Sequence, residues 1–168
     1  ASVYTYNEGE NIQTDLAEGW TDMENLNNNA IAPGKGYLVY LFQNNRSAGP
    51  NGFPVTLSVT GAVDATENNG DEASPTLDFT DDTDPTAQNG WNLIANPFAA
   101  PLDWDEIEGT ANGSVDATVY VYDANSNEGA GSYITYQPGI TYQPEDPNEE
   151  SRFIAPFQAF FVKANGSS

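Results

Sequence analysis

Oxygen-bearing side chains dominate what this sequence offers to chemistry, and their spacing nominates two cation-binding loops. In Asp123-Ala124-Asn125-Ser126-Asn127-Glu128-Gly129, the side chains of Asp123, Asn125 and Asn127 stand at alternate positions before a glycine. A tight loop of that kind presents several oxygens to a hard cation, so the expected cofactor is Ca2+. The loop departs from an EF-hand: its glycine comes one residue late and no glutamate stands at the twelfth position. Asp81, Asp82 and Asp84 form a second, weaker cluster for the same ion. The plainer reading of both is a polar turn in a hairpin and a solvated acidic run.

Flat aromatics suggest a different chemistry. Trp20, Trp104, Tyr133, Tyr136 and Tyr142 are candidates for a carbohydrate platform, with rings against apolar sugar faces and nearby Asp, Asn and Gln for hydroxyls. Alternating tyrosines also suit a half-buried sheet, so the two readings compete. Catalysis has little to work with. No cysteine or histidine is present, which removes thiol chemistry, disulfides, Cys/His zinc sites and His-based acid–base pairs. A carboxylate-pair glycosidase is the enzyme class left open by residue type, through Asp103, Asp105, Glu106 and Glu108 around Trp104. Clustering in an acidic chain is weak support, and we expect no enzyme. A third candidate activity is assembly. The segment Ala1 to Tyr6, with Val3, Tyr4 and Tyr6, reads as a strand that could add to a neighbour's sheet and build a filament head to tail.

The chain that must position these residues has 168 residues, with 25 Asp plus Glu against 4 Lys plus Arg and a net charge of −21. That balance argues against nucleic acid and against anionic membrane surfaces as partners. No apolar run is long enough to span a bilayer, so no membrane insertion is expected. At 38% hydrophobic and 12% aromatic it is not a disordered tail. The partners expected are copies of itself, other surface proteins or glycans. The chain is read as a mature product or a piece of a larger precursor.

Strand signals run throughout: Val3–Tyr6, Tyr37–Phe42, Val55–Val59, Val119–Tyr122, Tyr133–Tyr136 and Phe160–Val162 are short β-branched or aromatic runs between turn residues. A short strand is also expected at Thr76–Phe79, and the helical signal is a single turn over Asp103–Glu108 that Gly109 ends. The fold expected is all-β, an antiparallel, jelly-roll-like β-sandwich in one domain. Its parts are block 1–60, an acidic connection 61–90 and block 91–168.

The two blocks resemble each other. Ser2-Val3-Tyr4-Thr5-Tyr6-Asn7 matches Thr118-Val119-Tyr120-Val121-Tyr122-Asp123 at an offset of 116. Ile31-Ala32-Pro33 through Val39 matches Ile154-Ala155-Pro156 through Val162 at an offset of 123. A length difference of this size is absorbed in a loop, so an internal pseudo-duplication is expected.

Gly90-Trp91-Asn92-Leu93-Ile94-Ala95-Asn96-Pro97-Phe98 with Leu102-Asp103-Trp104-Asp105 resembles the "GWNLIGNPYPSPIDWD" element of secreted Bacteroidota surface proteins. Val119–Asp123, Ile154–Lys163 and Ala32–Tyr37 resemble the same family's "iyvyd", "IaPgQaFFVka" and "pGkGY" elements. The resemblance implies an extracellular module placed ahead of a type IX secretion sorting domain, and the end at Ala164–Ser168 would suit the cut that removes it. Ala95 and Phe157 stand where that pattern usually has glycine. The motif also has a physical reading: Trp91, Leu93 and Ile94 fill a core, and Asn96-Pro97 sets a turn after the strand. The function expected is that of an extracellular structural or adhesive protein, a cell-surface or appendage subunit. The alternative is a non-catalytic carbohydrate-binding module of a larger secreted enzyme.

Overall fold

β-branched and aromatic residues at alternate positions make one face of each strand apolar, and three antiparallel sheets result. The computed structural model describes residues 2–8, 19–23, 34–40, 75–80, 89–108, 113–129, 131–142 and 146–166. Strands β1 (Ser2–Tyr6), β2 (Trp20–Asp22) and β3 (Tyr37–Tyr40) form one sheet in the order β2-β1-β3. Strands β4 (Trp91–Ala95), β6 (Val119–Asp123), β7 (Ser132–Tyr136) and β9 (Ala159–Lys163) form a second, β4-β9-β6-β7. β5 (Leu102–Asp103) and β8 (Phe153–Ile154) pair beside them. The fold is all-β. The expected helical turn is present as Trp104–Glu108.

Thr76–Phe79 is not a strand. A side chain takes the place of a partner strand there: Asn92 Oδ1 accepts from the Asp78 N–H at 2.9 Å, and Asn92 Nδ2 donates to the Asp78 carbonyl at 2.9 Å. The expected strand Val55–Val59 lies outside the described residues, as do Leu41 and Phe42.

The likeness of the two blocks extends to the pairing register. Tyr4 lies opposite Leu38 and Thr5 opposite Tyr37, while Tyr120 lies opposite Phe161 and Val121 opposite Phe160. These are the positions that the two sequence offsets equate. The likeness extends to the other side, where Trp20 faces Tyr6 and Tyr133 faces Tyr122. β1 is therefore a middle strand, like β6, with ladders on both sides. This corrects the expectation for Val3, Tyr4 and Tyr6: among the described residues their strand is flanked by β2 on one side and β3 on the other, so it is not a free edge.

β4 joins the two blocks. One edge runs against β9 from Trp91–Lys163 to Ala95–Ala159. Its other edge binds the approach to β3, through Gly36 N–H to Leu93 C=O at 3.0 Å and Ala95 N–H to Gly34 C=O at 2.8 Å. Glycine is required at 36, because a Cβ there would stand 2.5 Å from Leu93 Cγ and 2.9 Å from the Ile94 carbonyl. A Cβ at Gly90, whose φ is +83°, would meet the Ala164 carbonyl at 2.3 Å.

The second sheet buries both faces. On one, Val119, Val121, Tyr136, Phe160 and Val162 pack with Trp104 and Ile154. On the other, Phe161 packs with Tyr6, and Trp20, Trp91, Leu93 and Tyr120 join partly buried. Trp91, Leu93 and Ile94 thus serve two cores on opposite faces of β4, as period-two alternation requires. Asn96 is fully buried and ties the turn after β4 to the segment that follows β8. Its Oδ1 accepts from the Phe98 N–H, and its Nδ2 donates to the carbonyls of Ala100, Ile154 and Ala155 at 2.8–3.1 Å. Pro156 and Phe157 occupy the middle of the next turn, closed by Gln158 N–H to Ala155 C=O at 3.1 Å. Phe157 has φ +62°, where a type II turn calls for glycine. A side chain in that region costs about 1–2 kcal/mol.

Candidate functional site

Two aromatic pairs, one from each block, converge on Phe161. In the first block Tyr6 and Trp20 meet edge to face at 5.3 Å between ring centroids, and in the second Tyr122 and Tyr133 do the same at 5.3 Å. Phe161 touches both pairs, with Tyr6 at 4.9 Å, Trp20 at 5.9 Å and Tyr133 at 5.8 Å. The copies differ in exposure. Tyr6 is buried, whereas Tyr122 is 44% and Tyr133 47% exposed. Edge-to-face packing fixes ring planes while leaving part of each ring in solvent. The outcome is an aromatic surface of Tyr133, Tyr122 and the half-buried Trp20.

Two members of the expected platform, Trp20 and Tyr133, are therefore brought together, and Tyr122 was missed. Trp104 and Tyr136 are corrections. Trp104 is 2% exposed in the opposite core and its Nε1 donates to the Ala117 carbonyl at 2.7 Å, so no sugar reaches its face. Tyr136 is buried and stacks on Tyr142 at 5.4 Å. Tyr142, half-buried, also accepts the Gln137 N–H on its hydroxyl at 2.8 Å. Parity was the available signal: residues 133 and 136 of one strand point to opposite faces.

Two carboxylates of the acidic cluster around Trp104, Asp103 and Asp105, share one cation, Arg152. Arg152 grips Asp103 through two bonds of 2.8 and 2.7 Å and approaches Asp105 at 3.2 Å. Tyr136 donates to Asp105 at 2.8 Å. The Arg152 hydrogen bonds hold the Asp103 carboxyl below its ordinary range, the opposite of what a general acid needs.

Burial, then the bond to Asp105, pushes Tyr136 up to about 12. Burial, then the nearby Glu8 charge, pushes Tyr6 there as well. Each raised folded value favours the protonated phenol, so its contribution is complete below the unfolded value near 10 and is lost as pH rises through 12. We expect stability to fall across pH 10–12, with tyrosinate absorbance from these two rings appearing with unfolding. Full tyrosine ionisation at pH 11 with an unchanged circular dichroism spectrum would refute this.

In the loop expected to bind calcium, Asp123 Oδ1 accepts the Asn125 N–H at 2.9 Å. Ser126 Oγ donates to the Asp123 carbonyl at 2.8 Å and lies 2.6 Å from Ser132 Oγ. Asn127 and Glu128 both stand in the left-handed region, at φ 52° and 57°. Asn125 and Asn127 point to solvent. Among the described residues no group of three or more acidic side chains is gathered for a metal ion. Asp81, Asp82 and Asp84 lie outside the described residues.

A cleft of about 220 Å³ opens where the blocks meet, lined by Glu8, Lys35, Asp78, Trp91 and Asn92. Sequence reasoning missed its key residue. Glu8 is buried, and its carboxylate accepts from Thr80 N–H at 2.9 Å, Gly90 N–H at 2.8 Å and Thr80 Oγ at 2.7 Å. With Glu8 and Asn92 committed to internal bonds, this cleft is a structural seam.

A family model described only as a domain of unknown function matches residues 1–168. No curated protein and no solved structure matches the chain. No helix among the described residues is long and apolar enough to cross a membrane.

Proposed function

We propose that this chain, which belongs to the DUF8693 family, is a non-catalytic extracellular adhesive module that holds neutral carbohydrate on its aromatic surface. The observation that carries this reading is the exposed Tyr122–Tyr133 pair fixed on Phe161. Rings held in place by neighbours lose little freedom on binding, which favours stacking on a sugar. The net charge of −21 selects against uronates and sulfated glycans and leaves neutral sugars. The Arg152-bound carboxylates support a role without catalysis. Packing of Tyr6 and Trp20 from the first sheet on Phe161 of the second supports the sandwich architecture.

Isothermal titration with neutral oligosaccharides tests the reading. Tyr133→Ala, which removes the more exposed ring of the pair, should weaken binding roughly tenfold or more, about 1.4 kcal/mol. Light scattering on the same samples should show a monomer. Absence of binding together with concentration-dependent fibres, in millimolar calcium or in chelator, would overturn the proposal in favour of an assembly subunit.

A further inference from the structure

Phe157 combines backbone strain with exposure in a way that stability does not explain. Its φ is +62°, its ring is 67% exposed, and its N–H donates to the Asn96 carbonyl at 3.1 Å. The turn is closed again by the Ala155 N–H, which donates to Gln158 Oε1 at 3.1 Å. Glycine would adopt this conformation without strain, and a largely exposed ring gains little from burial to offset it. Strain of this kind, held in place by surrounding bonds, is a mark of functional positions.

The register places this turn. Tyr120 opposite Phe161 and Val121 opposite Phe160 set the start of β9 beside the end of β6. The Phe157 turn therefore lies at the end of the sheet where β6 finishes with Tyr122 and β7 begins beside Tyr133. Neighbouring strands are about 5 Å apart, so the step from β7 to β6 to β9 is comparable to successive pyranose rings in a linear chain.

We propose that Phe157 is a third carbohydrate contact, extending the Tyr133–Tyr122 surface into a site for a neutral linear polysaccharide; this rests on the function proposed above. The test compares wild type with Phe157→Gly. The variant should fold and melt a few degrees higher, because glycine relieves the turn. The probes are the cello-, manno- and xylo-oligosaccharide series from two to six sugars. Wild type should gain tenfold or more in affinity between disaccharide and hexasaccharide in at least one series. Phe157→Gly should lose that gain while keeping wild-type disaccharide affinity. An undiminished gain in the variant, or no gain in a wild type that binds, overturns the third contact alone. No binding by wild type in any series overturns the functional reading beneath it. A lower melting temperature for Phe157→Gly overturns the argument from strain.

Discussion

Trp104→Ala should lower stability by about 3–5 kcal/mol, the range for losing a fully buried aromatic side chain. Against a domain stability of about 5–15 kcal/mol, this takes a large share, and the melting temperature should drop by roughly 10 °C or more. Three causes add. The ring is removed from a core of Val119, Phe160, Val162 and Ile154, its edge-to-face contact with Phe160 at 5.9 Å disappears, and the Ala117 carbonyl loses its donor. Trp104→Phe should recover much of the packing and none of the hydrogen bond. Thermal melts of both variants check the order, and a Trp104→Ala protein melting within 2 °C of wild type would refute the burial. Because the ring faces away from the exposed tyrosines, the folded fraction of either variant should bind sugar as wild type does.

Glu8 is the second large effect, with chemistry of a different kind. Among the described residues two backbone N–H groups and one hydroxyl hold its carboxylate. Glu8→Ala leaves those backbone donors, from Thr80 and Gly90, without acceptors, and we expect a loss of about 2–4 kcal/mol. Glu8→Gln should stay within about 1 kcal/mol of wild type. The amide oxygen can serve both N–H groups, the Thr80 hydroxyl can turn to accept, and one negative charge leaves a strongly acidic chain. Urea midpoints of the two variants check this. Equal losses for Ala and Gln would show that charge, and not hydrogen-bond accepting, matters at this position.

These two sites divide what was legible in the sequence from what was not. The strands and the repeat were legible because alternation and the recurring Ile-Ala-Pro depend on near neighbours. The helical turn at Trp104–Glu108 followed from the same local rules. Tyr133 and Tyr136 were grouped together although strand parity separates them, and Tyr122 was passed over because its exposure depends on what the first sheet leaves uncovered. Glu8 was invisible for a related reason: its partners are Thr80 and Gly90, far along the chain, and one glutamate among many acids carries no local mark. At Phe157, where the resembled pattern usually has glycine, the turn keeps a glycine-like conformation with phenylalanine in it. Ala95 needs no such accommodation, because it lies within β4.

β4 gives one edge to each half of the molecule, and this limits how the protein can be divided. A strand of the second block carries the amide and carbonyl groups that bond the approach to β3 in the first. Either half expressed alone would leave a row of backbone groups on an open edge, ready to pair with any extended chain it met. Held through β4 in this way, each half covers an edge of the other.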